Sequence, residues 1–169
     1  MKPYVVMLAA YNAWANTRVY EAAAALPDAD YRADRGAFFK SVHGTLNHLL
    51  VVDRIWMRRF TGEGEAPTRL DAILFEALSD LRAARIREDE RIAAYVDRLS
   101  DTDLAGRIRF RTIVSPADVE QALTPALMHF FNHQTHHRGQ VHTLLTGLGA
   151  DAPSLDLIMF QRQMGIGLS

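Results

Sequence analysis

The sequence predicts an all-α fold, a four-helix bundle, and three observations carry that prediction. Apolar residues recur at helical spacing in each of four long stretches. Proline and glycine punctuate the joints between the stretches. The charges within the stretches sit mostly three or four residues apart, as on a solvated helix face. With 169 residues, 49% of them hydrophobic and 23% charged, the chain has the length and balance of one globular domain, expected to span residues 1–169.

The first helix is expected over Val5–Leu26, closing at Leu26-Pro27 because proline disfavours helix in the residue before it. Pro27 to Gly36 has the composition of a connection. A second helix is expected from about Phe38 to Phe60, stopped by Thr61-Gly62-Glu63-Gly64 and sealed by Pro67. Thr68 and Asp71 read as the capping pair of a third helix that carries Ile73, Leu81, Ile92, Val96 and Leu99 on its apolar side. Between Ser100 and Ser115 the helical pattern fails, and Ile108 to Ile113 alternates like a short strand. A fourth long helix is expected to begin between Pro116 and Pro125 and to run to Gly147, and a short last helix follows Pro153 and Ser154. The non-helical stretch before the fourth helix implies a long crossover.

Charge and composition remove several classes of function. The formal net charge is -1, so no global positive field draws the chain to nucleic acid. There is no cysteine, which excludes disulfides, thiolate metal sites and a cysteine nucleophile of the chain's own. No run approaches the roughly 20 apolar residues that span a bilayer, and the short stretch Tyr4–Tyr11 lacks the form of a signal peptide. A cytoplasmic protein with neither membrane nor nucleic acid as partner is expected.

Histidine is the residue type that stands out. Five of the seven histidines lie between His129 and His142. At about 100 degrees per residue, His129, His133, His136 and His137 share roughly one quadrant of a helix with Gln140, while Arg138 and His142 point away. His133 and His137, four apart, can present two imidazoles to one metal ion; His129/His133 and His133/His136 are geometrically open as well, and spacing does not choose among them. On the second helix His48 shares a face with Thr45, Val52 and Ile55, which points it at the core. Two imidazoles from one helix and one from another, with a fourth position open, is the donor set of a catalytic metal site. A Glu-x-x-His pair, the His-Glu-x-x-His motif, a phosphate-cradling glycine loop and a Gly-x-Ser-x-Gly elbow are all absent.

The run Asn132-His133-Gln134-Thr135-His136-His137-Arg138-Gly139-Gln140-Val141-His142 resembles the signature of the DinB/YfiT-like metalloenzyme family. Tyr11 to Asn16, Thr45 to Leu50 with Asp53 and Trp56, and Pro153 to Phe160 agree with it in order along the chain. The resemblance implies an up-down-down-up four-helix bundle, often a homodimer. It also selects His48, His133 and His137 as ligands of one divalent metal ion. Zinc or nickel is expected first, with iron, copper or manganese as further candidates for an imidazole site. His129 and His136 are then expected around the pocket or merely packed, and His142 as structural. Gln140 is expected to orient a ligand ring, Asp53 to serve as an interface or inter-helix partner, and Gly139 to mark a close helix approach.

Members of the resembling family with assigned activities include S-transferases and isomerases that use small thiols such as bacillithiol, mycothiol or glutathione. The expectation is therefore a metal-dependent thiol S-transferase acting on small electrophilic molecules. A metal-dependent hydrolase and a non-catalytic metal-binding stress protein are the alternatives. No residue of the sequence identifies itself as the general acid or base.

Overall fold

The structure, a computed structural model, describes residues 1–168. In chain order its elements are α1 (Lys2–Ala24), α2 (Asp28–Arg32), α3 (Val42–Thr61), α4 (Leu78–Arg98), α5 (Asp101–Leu104), the strands β1 (Arg107–Arg111) and β2 (Asp118–Ala122), α6 (Leu123–Gly147) and α7 (Leu157–Gln163). The fold is all-α, a helical bundle with one antiparallel hairpin. None of its helices is long and apolar enough to cross a membrane, among the described residues.

Helices α1 and α3 both pack against α4 and α6. Side-chain pairs fix the directions. Lys2 reaches the Asp97 carbonyl while Glu21 faces Arg82, so α1 and α4 run antiparallel. His48 faces His137 while Trp56 faces His129, so α3 and α6 are antiparallel too.

The expected boundaries shift where side chains claim backbone groups. Helix α3 starts at Val42 and not near Phe38, because the Ser41 hydroxyl accepts the Gly44 amide as its N-cap. Phe38 and Phe39 lie instead in a tight turn, closed by Lys40 N–H donating to the Ala37 carbonyl at 2.7 Å. Thr68 and Asp71 start no helix. Asn47 of α3 accepts the amides of Leu74 and Phe75 (2.8 and 3.1 Å) and donates to the Phe75 carbonyl, while His48 binds the Leu70 carbonyl. Those backbone groups are unavailable for helical bonding, and α4 begins only at Leu78. Of the strand-like Ile108–Ile113 passage, residues 108–111 lie in β1, paired with β2 in register Arg107↔Ala122 to Arg111↔Asp118, and Thr112 and Ile113 fall beyond it. The short helices α2 and α5, the latter held by a Ser100–Asp103 capping box, fall in stretches that carry no helical period.

Two large apolar clusters fill the bundle, and a small third one joins Tyr11 and Ala15 of α1 to Phe160 of α7. The first gathers Val5, Val52, Trp56, Ile92, Leu127 and Phe130, the second Val19, Leu46, Leu50, Leu81, Val141 and Leu145. A buried polar layer lies between them. Arg138 donates to the side-chain carbonyls of Asn12 and Asn16, whose amides donate to Asp89 at 3.1 and 3.0 Å. Arg85 pairs with Asp89 (3.0 Å) and Asp53 (2.6 Å), and Asp53 accepts from Gln134. The chain of contacts thus visits α6, α1, α4 and α3 and returns to α6. It brings together two buried cations and two buried carboxylates, which offsets much of the cost of burying each alone.

Candidate metal centre

Gln134 and Arg138, which anchor α6 to the polar layer, each follow a histidine by one residue. Turning those two side chains into the bundle fixes the rotation of α6 and carries His133 and His137 toward α3. There they meet His48. One nitrogen from each of the three rings lies within 4.8 Å of the others, and the three residues form a group able to hold a metal ion.

Hydrogen bonding sets the tautomers. The Leu70 carbonyl can only accept, so His48 Nδ1 donates to it (2.7 Å) and His48 Nε2 carries a lone pair. The Gln140 amide nitrogen donates to His136 Nε2 (3.3 Å), which turns its oxygen to His137 Nδ1 (2.7 Å) and leaves His137 Nε2 as a lone pair also. These two Nε2 atoms stand 3.2 Å apart. Two lone pairs at that distance repel unless a cation lies between them. A proton is a poor choice, because burial lowers the pKa of His48 to about 4 and also lowers that of His137. A metal with nitrogen ligands at 2.0–2.1 Å in tetrahedral array separates them by roughly 3.3 Å. His133 is held in its neutral form as well: burial, then the neighbouring His137 and His48, push its pKa down to about 3. Its Nδ1 is buried with no hydrogen-bond partner. The donor set fits a divalent metal.

Phe39, outside the expected site, stacks on the His48 ring at 3.7 Å between centroids and meets His137 edge-on at 5.5 Å. The close approach of its turn needs Gly44, where a Cβ would collide with the Phe39 carbonyl oxygen. No signal in the sequence marks Phe39, since its pattern merges with that of α3. Leu70 was equally unmarked, because it contributes only a carbonyl.

The remaining expectations divide. Gln140 orients His137, and His136 braces Gln140. Asp53 is an inter-helix partner in the polar layer. His129 stands beside Trp56 and His133 with ring centroids 5.3 and 6.0 Å away, on the wall of a cavity of about 410 Å³ that His48 and His133 also line. His142 lies apart, near Tyr11 and Arg138. Gly139 marks no close approach: it is exposed, and a Cβ there would meet nothing within 4 Å. No carboxylate lines the histidine cavity among the described residues.

The sequence and the fold have counterparts among known proteins. The DinB family model matches residues 1–165. Protein DinB of Bacillus subtilis (strain 168) is 27% identical over 164 residues, a span of 91% of this chain and 92% of that protein. The crystal structure of a DinB-like protein from Bacillus cereus ATCC 10987 superposes with a TM-score of 0.64 at 16% identity, covering 83% of this chain and 89% of that one, a likeness of fold. With a family model running over nearly its full length, the chain belongs to the DinB family.

Proposed function

We propose that the chain is a divalent-metal enzyme that transfers a small thiol to an electrophilic organic molecule, with His48, His133 and His137 as the metal ligands and zinc or nickel as the metal. The observation that carries the reading is the pair of Nε2 atoms facing each other at 3.2 Å, with both Nδ1 atoms engaged elsewhere, beside a third imidazole. A divalent metal held there supplies Lewis acidity, which favours the thiolate form of a thiol.

The chain's own residues do the rest. Leu70 and Gln140 fix two ring orientations through Nδ1, Phe39 shields one side of the cluster, and the cavity wall of Val52, Ile55 and Trp56 offers an apolar surface to the electrophile. The protein has no cysteine to act as nucleophile, so an external thiol is the natural donor. The carboxylate-free wall supports transfer over hydrolysis, because hydrolysis asks for a general base beside the metal. A homodimer, often the assembly in the resembling family, is the state we propose, with the cytoplasm as its location.

The test is turnover. Zinc-loaded and nickel-loaded protein is incubated with bacillithiol, mycothiol or glutathione and the electrophile 1-chloro-2,4-dinitrobenzene. Thioether formation above background with one of these thiols, lost in His133→Ala, supports transfer. Background rates with every thiol, together with thiol-independent ester hydrolysis that His133→Ala abolishes, would replace it with the hydrolase.

A further inference from the structure

Among the described residues, Arg59 is the one Lys, Arg, Asp or Glu side chain on the wall of the histidine cavity, and none of them pairs with it. It follows His48 by three helical turns, about 20 degrees off the same face of α3, and both residues line that cavity. Its guanidinium carbon sits 4.5 Å over the Trp56 ring and 4.3 Å over the Phe110 ring. The two ring centroids are themselves 5.4 Å apart and the rings meet edge to face, so they hold the group in an aromatic corner. Its N–H donors, which lie in the plane, form no hydrogen bond or ion pair with any described residue. Nearby Arg109 and Arg111, by contrast, are paired with Glu120 (2.6 Å) and Asp118 (3.1 Å).

A half-buried cation without a counter-charge is costly, and burial does lower the pKa of Arg59. Of the neighbouring guanidiniums, Arg109 and Arg111 are already paired with carboxylates, and Arg58 forms no ion pair among the described residues. A second cavity of about 510 Å³ joins the first at Ile55, Arg59 and Ile113 and carries Arg58, Arg109 and Arg111, with no carboxylate in its wall. A guanidinium held in an aromatic corner and left without an ion-pair partner offers its in-plane N–H fork, which fits the two oxygens of an oxyanion.

We propose that Arg59 binds the carboxylate or phosphate of a small amphiphilic substrate whose apolar body lies along Val52, Ile55 and Trp56 and whose reacting end lies at His48 and His133. The placement of the reacting end rests on the metal-site reading above; the oxyanion site does not. The substrate class is thus an electrophilic organic acid, or an organic phosphate, with an apolar body.

The experiment is a fluorescence titration of the full chain carrying Trp14→Phe, so that Trp56 against Arg59 is the reporter. Hexanoate, inorganic phosphate and the neutral analogue 1-hexanol are titrated in turn, on chelator-treated and on zinc-loaded protein. Saturable binding of hexanoate at least tenfold tighter than 1-hexanol, weakened tenfold or more by Arg59→Met and partly restored by Arg59→Lys, is expected. Hexanoate binding above phosphate assigns a carboxylate, and the reverse assigns a phosphate. Equal affinity for hexanoate and 1-hexanol, or an Arg59→Met protein with native circular dichroism that binds the anions as well as wild type, overturns the proposal. Because the chelator-treated arm needs no metal, loss of the oxyanion site and loss of the metal site are separate results.

Discussion

His48 Nε2 and His137 Nε2 face each other across 3.2 Å with both Nδ1 atoms committed as donors, one to the Leu70 carbonyl and one to Gln140. The metal-free protein must therefore hold neutral imidazoles where acid would charge them. The folded-state pKa values of His48 (about 4) and His133 (about 3) lie below the ordinary value near 6.5, so in between the unfolded chain binds protons that the folded chain refuses. Stability of the metal-free protein is then unaffected by these groups above pH 6.5 and falls as pH drops through the window from 6.5 toward 4. At pH 5.5 the two together cost about 2 kcal/mol. Urea unfolding in chelator at pH 7.5, 6.5 and 5.5 checks this, and the slope should shrink in His48→Gln. A midpoint independent of pH over that range would contradict it.

Gln140 acts through His137, and its loss should be felt as metal affinity. Replacing Gln140 with Ala removes the acceptor that fixes the Nδ1 proton and the ring plane, for which a loss of about 10- to 100-fold in affinity is expected. Competition against a zinc chelator dye measures it. Affinity equal to wild type would remove Gln140 from the site.

The buried layer behaves differently from the metal site. Arg85 sits between Asp53 and Asp89, and Arg85→Ala strands both carboxylates in the interior, at a cost of about 3–5 kcal/mol. Adding Asp53→Asn to Arg85→Ala should recover part of that loss, because one uncompensated charge disappears. Denaturant unfolding of the single and double variants reads both effects. A double variant less stable than Arg85→Ala would contradict the account.

Most of the bundle was legible because α3 and α4 are clearly amphipathic and because proline and glycine mark the joints around them. His48, His133 and His137 were within reach as residues, since each lies on a face the period predicts, but period alone left three histidine pairings open on α6. What settles the cluster is tertiary. Gln134 and Arg138 tie α6 to the polar layer, and neither advertises a buried role when read as one polar residue among many. The late start of α4 was hidden for a related reason. Thr68 and Asp71 make a sound local cap, yet Asn47, far away in sequence, takes the Leu74 and Phe75 amides first. Phe39 and the Leu70 carbonyl escaped because a turn and a backbone oxygen leave no pattern.

That loop anchoring is itself testable. Asn47→Ala should raise hydrogen exchange at Leu74 and Phe75 and destabilise the fold by about 1–3 kcal/mol through the unsatisfied buried groups. It should also loosen the Leu70 carbonyl that orients His48. Unchanged exchange at both amides would show that the segment holds itself.

The central claim is a metal bound by three named histidines, and metal content tests it most directly. Wild-type protein purified without chelator is measured beside His48→Ala, His133→Ala and His137→Ala, each with circular dichroism to confirm folding. Near one equivalent of zinc or nickel in the wild type, lost in all three folded variants, is the predicted result. A metal-free wild type that also refuses added zinc and nickel, or a variant that keeps its metal, would contradict it.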